Sequence, residues 1–171
     1  MTRARTPKAK PLTLGSLCTG YGGLDLAIEH VTGAQLAWYA DTDPAASRVL
    51  AARYPGKENL GDISSVDWGE VAKVDIIAAG FPCQDISNAG RREGITGSRS
   101  GLWTAVADCV RALGPALVVV ENVAALRSRG LGVVVADLAK IGYDSRWVCL
   151  RASDVGAAHR RDRLFLLAQR R

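Results

Sequence analysis

The chain reads as an α/β protein of the doubly wound kind, built on a mostly parallel sheet. Short apolar runs rich in β-branched residues recur along it, and most are followed by a stretch with helical periodicity. One run, Leu117–Val120 (LVVV), is apolar at every position, as a strand is when helices cover both faces of a parallel sheet. Helix-start and helix-stop signals fall between the runs, and strands alternating with helices give this architecture.

Taken in order, Leu12–Cys18 reads as the first strand and Leu24–Val31 as a helix. Gln35–Ala40 is the second strand. Asp43-Pro44 then begins a helix, because Asp can cap it and Pro suits its first turn. That helix runs to about Tyr54, where Pro55-Gly56 stops it. Asn59–Ile63 is a weaker strand candidate and Val74–Ala79 a clear one. A helix over Leu102–Leu113 ends at Gly114-Pro115. After the Leu117–Val120 strand come a helix over Leu131–Ile141, an extended stretch at Arg146–Leu150 and a last strand at Arg163–Ala168. In such sheets ligands bind beyond the carboxyl ends of the strands.

With 171 residues, 48% hydrophobic and 23% charged, the composition fits one globular domain, residues 12–171, behind a flexible basic tail, residues 1–11. No apolar run approaches the ~20 residues that span a bilayer, and MTRARTPKAK lacks the apolar core of a secretory signal. A soluble cytoplasmic protein with no membrane partner is expected. Four cysteines without a CxxC spacing and only two histidines argue against a metal site. Cys18, Cys109 and Cys149 read as core fillers. Residues 1–10 carry +4 and residues 151–171 carry +4, while the stretch between them sums to −3. Basic ends on an acidic body fit a polyanion such as nucleic acid, and equally a solvated tail.

The first strand leads into Cys18-Thr19-Gly20-Tyr21-Gly22-Gly23, where glycines permit a tight turn and close approach to a ligand. Asp25 stands where the dinucleotide fingerprint GxGxxG would place its third glycine, which argues against NAD; the glycines alone also fit an ordinary βα turn. Asp41, with Thr42 beside it, ends the second strand, where an acid takes ribose hydroxyls. Asp62-Ile63 offers a carboxylate for an adenine amino group and an apolar side chain for the ring. Together these residues describe an adenosine pocket. S-adenosylmethionine fits it better than a phosphate-bearing nucleotide, since no GxxxxGK[ST] loop is present.

The strand Val74–Ala79 delivers Gly80-Phe81-Pro82-Cys83-Gln84 to the same edge. A long loop rich in Gly, Ser and Arg follows, Asp85–Gly101, and loops of that length are functional or disordered. Glu121-Asn122-Val123 ends the next strand. A glutamate buried there with a raised pKa holds or donates a proton at neutral pH.

These motifs, in this order, resemble the catalytic domain of the DNA (cytosine-5) methyltransferases, over about residues 13–169. The resemblance implies the S-adenosylmethionine-dependent, Rossmann-like methyltransferase fold. It implies a cofactor site at Cys18, Gly20, Gly22, Gly23, Asp41, Thr42, Asp62, Ile63, Gly80 and Pro82, with Cys18 standing where the family has an aromatic. The nucleophile falls on Cys83, and the mobile loop with its DNA contacts on Gln84, Ser87, Arg91, Arg92 and Arg99. Glu121-Asn122-Val123 matches the family's Glu-Asn-Val motif. His159-Arg160-Arg161-Asp162-Arg163 matches its QxRxR motif, with His159 for the glutamine.

The chemistry suits those side chains. Carbon-5 of cytosine is a weak nucleophile until a thiolate, here Cys83, adds at carbon-6. Glu121 then holds or protonates ring nitrogen-3, and Arg161 and Arg163 bind the pyrimidine carbonyl or a phosphate and orient Glu121. A paired base cannot reach such a pocket, so base flipping in duplex DNA is implied. The family continues past the arginine motif into a target-recognition domain and two further motifs. A truncated or split enzyme with a second subunit is therefore expected, of the restriction-modification kind, or one of low specificity. A silent cofactor- or nucleic-acid-binding remnant, an RNA cytosine methyltransferase and a Cys83–His159 hydrolase are the alternatives.

Overall fold

The computed structural model describes residues 10–82 and 101–171. The expected tail to Ala9 lies outside the described residues, as do Cys83, Gln84, Ser87, Arg91, Arg92 and Arg99 of the loop. Seven strands form one sheet in the order β3-β2-β1-β4-β5-β7-β6. The strands are β1 (Thr13–Leu17), β2 (Gln35–Ala40), β3 (Glu58–Asn59), β4 (Ile76–Ala79), β5 (Leu117–Val123), β6 (Tyr143–Arg151) and β7 (Asp162–Arg170). Among the described residues five helices accompany them: α1 (Gly23–Thr32), α2 (Pro44–Arg53), α3 (Gly101–Leu113), α4 (Leu126–Arg129) and α5 (Leu131–Lys140).

The first five strands run parallel, and β7 is antiparallel to both β5 and β6. The link from β6 to β7 contains only a short 3-10 turn, Ala152–Val155, rather than a crossover helix, so the two strands pair antiparallel. One core cluster packs α3 and α5 on one face of the sheet, through Trp103, Val106, Val110, Val134 and Leu138. A smaller one, with Ile28, Leu36, Tyr39 and Leu50, packs α1 and α2 on the other.

The expected elements appear with shifted ends. Asp43 caps α2, its Oδ1 accepting from the Ala46 amide at 2.7 Å, with Pro44 in the first turn. β4 begins at Ile76 rather than Val74 because the Asp75 carboxylate is turned to Thr13, accepting from its amide at 2.7 Å and its hydroxyl at 2.8 Å. The weak strand is confined to Glu58–Asn59. Beyond it Gly61 has φ +70, and the Asn59 side chain captures the Gly61 amide at 3.0 Å, so the chain turns away before Ile63.

Gly15 on β1 lies under the Trp38 ring. A Cβ there would stand 2.3 Å from the nearest ring carbon, and that ring is held by its Nε1–H bond to the Ala72 carbonyl and by Trp68. Gly15→Ala is expected to destabilise the fold by about 1–3 kcal/mol through overpacking, read as a lower midpoint in urea unfolding.

Candidate active site

The parallel strands β1, β2, β4 and β5 end along one edge, and the unusual residues gather there. The turn after β1 is tight: Cys18, Gly20 and Gly22 all have positive φ, at 51, 57 and 75°. Its amides are anchored, Gly22 to the Thr19 carbonyl at 3.0 Å and Gly20 to Asp41 Oδ2 at 2.7 Å. Asp41 also accepts from the Asp43 amide through Oδ1 at 2.8 Å. Each of its oxygens therefore keeps one acceptor site for a ligand hydroxyl. Asn59 bridges the ends of β2 and β3, accepting from the Asp41 amide and donating to the Asp41 carbonyl, both at 3.1 Å. Asp62 is exposed, and hydrogen bonds from the Ser64 amide and hydroxyl hold its carboxyl below the usual range.

A pocket of about 320 Å³ opens between these pieces. Cys18, Gly20, Asp41, Thr42, Asp62, Ile63, Gly80 and Pro82 all line it. Gly23 lines the neighbouring cleft instead, and Gly22 is buried against α2 and faces neither space. A carboxylate beside a close-approaching glycine turn, an apolar Ile63 and a second carboxylate suit a nucleoside; among the described residues the lining holds no Lys or Arg for a phosphate. These residues fit S-adenosylmethionine.

The adjoining cleft, of about 700 Å³, shares Cys18, Gly20 and Gly80 with that pocket. Glu121, Arg161 and Arg163 line it, with an apolar wall that includes Leu24, Leu150 and Phe165. Glu121 and Arg163 are paired, Nε to Oε1 at 2.8 Å, with about a quarter of each side chain exposed. Pairing across β5 and β7 sets this up, since Glu121 lies opposite Phe165 and Val123 opposite Arg163. Glu121 is thus a part-exposed, ion-paired carboxylate rather than the buried acid the sequence led us to expect. Arg161 is exposed on the cleft rim, and His159 is exposed too.

Asn122 is buried, and its Nδ2 donates to the Phe81 carbonyl at 3.0 Å. That bond ties the Glu-Asn-Val strand to the segment leading through Pro82 into Cys83. It places the peptide two residues before the cysteine beside the Glu121 cleft. The Phe81 ring is itself buried against Trp103, with centroids 5.6 Å apart.

The three described cysteines differ. Cys109 is fully buried in the core, and Cys149 is half-buried on β6. Cys18 is more than a filler, since it lines both spaces. Burial, reinforced by Asp41 and Asp62, pushes its thiol up to about 12, which keeps it protonated and unreactive.

Asp25 is 1% exposed, and neither carboxylate oxygen meets a donor in good hydrogen-bond geometry, the Ser16 side chain only approaching it. Burial pushes it up to about 6, against the pull of Ser16 and Arg53. A carboxyl raised in the folded state binds its proton more tightly there, so its stabilising contribution is complete below pH ~4 and lost as pH rises through ~6. Asp25→Asn is therefore expected to gain on the parent by about 2–3 kcal/mol between pH 4 and pH 7. Urea unfolding of both proteins at the two pH values measures it.

Sequence reading missed Asn59, Ser64 and the Asn122–Phe81 bond. Asn59 two residues before Gly61 was the one legible signal, an Asn placed to close a turn on its own backbone.

A profile of the family described as C-5 cytosine-specific DNA methylase matches residues 12–171. The chain belongs to that family. It is 35% identical over 161 residues to the type II methyltransferase M2.BsuMI of Bacillus subtilis, covering 90% of this chain and 41% of that protein. It is 32% identical over 158 residues to the type II methyltransferase M.HhaI of Haemophilus parahaemolyticus, covering 90% and 48%. Thus it spans less than half the length of either relative. Among solved structures it resembles the Entamoeba histolytica methyltransferase EhMeth, with TM-score 0.81 and 17% identity over 94% of this chain and 53% of that one. It also resembles a DNA modification methyltransferase of an Escherichia coli prophage, with TM-score 0.74 and 23% identity over 93% and 47%. At those identities the likeness speaks for the fold. The family's methyl donor is S-adenosylmethionine. No helix among the described residues is long and apolar enough to cross a membrane, and no group of His, Cys, Asp and Glu among them fits a metal ion.

Proposed function

We propose that the methylase chain transfers a methyl group to carbon-5 of cytosine in DNA, in the cytoplasm, through a covalent adduct of Cys83 with a flipped-out base. The observation that carries this is the Glu121–Arg163 pair, facing a cleft that joins the nucleoside-type pocket at Gly80. Gly20, Asp41, Asp62 and Ile63 would hold S-adenosylmethionine. When bound, it supplies an electrophilic methyl group on a sulfonium.

On this reading the Cys83 thiolate adds to carbon-6, and the ring electrons move to make carbon-5 nucleophilic. Glu121 holds the proton at ring nitrogen-3 and stabilises the charge that develops on the ring. Arg163 keeps Glu121 aimed into the cleft, and Arg161 on the rim takes the pyrimidine carbonyl or a phosphate. After carbon-5 is methylated, it loses its proton to a base, and the bond to Cys83 breaks as the double bond re-forms. Gln84, Ser87, Arg91, Arg92 and Arg99 grip the DNA around the extruded base. More than half the length of the relatives above has no counterpart in these residues. We therefore assign recognition of a DNA sequence to polypeptide outside them, in the same chain or a second subunit.

Incubation with methyl-labelled S-adenosylmethionine and duplex DNA, followed by nucleoside analysis, tests the reading. Label in 5-methylcytosine is the expected result, with the chain alone or after a recognition subunit is added. Label in another nucleoside, or in RNA cytosine alone, would overturn it.

A further inference from the structure

The Cys18–Gly23 turn is held from two sides. Asp41 takes the Gly20 amide from the β2 side. From the other side comes Arg53, in the last turn of α2, whose Nη1 donates to the Tyr21 carbonyl at 2.5 Å. The next residue, Gly22, is buried with φ 75°. A Cβ on it would stand 3.3 Å from Arg53 Nη1, 3.3 Å from Leu50 Cδ2 and 3.7 Å from Asp25 Oδ2. A guanidinium and a buried carboxylate thus flank the same backbone atom.

Neither Asp25 oxygen meets a donor in good hydrogen-bond geometry among the described residues, although the Ser16 side chain lies close enough to favour its charged form. The charged and titratable groups that face it are Glu29 from α1, with Arg53 and Tyr54 from α2. Glu29 is occupied, accepting from the Leu36 amide at 3.1 Å and the Tyr54 hydroxyl at 2.9 Å. Arg53 is the cation whose charge favours the Asp25 carboxylate. It lines neither the nucleoside-type pocket nor the cleft.

We propose that Arg53 is a positioning residue for S-adenosylmethionine: without touching the donor, it straps the Tyr21 carbonyl to α2 and keeps the Gly20–Gly22 turn in its left-handed shape. The turn needs such a strap because it concentrates three left-handed residues, one of them the non-glycine Cys18, a conformation that costs energy for any side chain. A turn already in its binding shape spares the donor the cost of ordering it. The inference rests on the reading of the pocket as the donor site.

The test compares the parent chain with Arg53→Ala and Arg53→Lys by calorimetric titration with S-adenosylmethionine. Hydrogen exchange at the Gly20–Gly23 amides is measured without donor, together with thermal melting. Arg53→Ala is expected to weaken donor binding roughly tenfold, the size of one charge-assisted hydrogen bond. It should also speed exchange at those amides while the melting temperature stays near the parent's, and Arg53→Lys should recover most of the affinity. Unchanged affinity and unchanged exchange in Arg53→Ala would overturn the inference and leave the donor site standing. If no protein, parent included, binds the donor, the donor reading falls and the inference with it.

Discussion

Glu121→Gln is expected to lower the rate of methyl transfer by about 10²–10³-fold, the loss typical of removing one preorganised electrostatic contact from a reacting group. The substitution keeps the shape of the side chain, so the cleft stays intact. It removes the charge that Arg163 Nε meets at 2.8 Å and, on the proposed reading, the group that holds the proton at the base. Glu121 lines the larger cleft and not the nucleoside-type pocket, so affinity for S-adenosylmethionine should be unchanged. Steady-state kinetics on an active preparation, with donor titration beside it, separate the two. Arg163→Lys gives an internal check, because a lysine cannot reproduce the direction of the guanidinium. It should show a smaller fall in rate than Glu121→Gln, again with donor affinity preserved.

Asn122→Ala is expected to cost about 1–3 kcal/mol of stability, because it strips the Phe81 carbonyl of its buried donor. The same change frees the segment that leads into Cys83, so kcat should fall in addition. Asn122→Asp sharpens the test: it retains the oxygen that accepts from the Val123 amide at 2.8 Å, but it replaces the donor to Phe81 with a buried carboxylate oxygen, so its loss should be at least as large. Losses in Asn122→Asp at least equal to those in Asn122→Ala, by urea unfolding and by initial rates, would assign the effect to the Phe81 bond; a milder Asn122→Asp would contradict it.

The parallel half of the fold was legible because its signals are local. Asp43-Pro44 begins α2 as expected, and the apolar strands β1, β2 and β5 need both faces covered. The sheet's other half was less legible. The antiparallel β7 follows from a short connection after β6, and no residue pattern in Arg163–Ala168 states its direction. Of the site, single motifs could be read one by one, but the contacts that join them are between elements distant in sequence. Asn122 and Phe81 are 41 residues apart, and Arg53 and Tyr21 are 32 apart. Glu121 read as a buried acid, whereas about a quarter of its side chain is exposed. Its direct pairing with Arg163 depends on the register between β5 and β7, which no local pattern states.

Covalent capture tests the central claim most directly. Duplex DNA carrying 5-fluorocytosine is mixed with S-adenosylmethionine and the methylase chain, alone and with any recognition subunit, and products are resolved under denaturing conditions. Because fluorine at carbon-5 blocks the last elimination, the account predicts a stable protein–DNA adduct that maps to Cys83 and is absent from Cys83→Ser. Labelled methyl transfer to normal DNA without any such adduct, or an adduct that survives in Cys83→Ser, would contradict it.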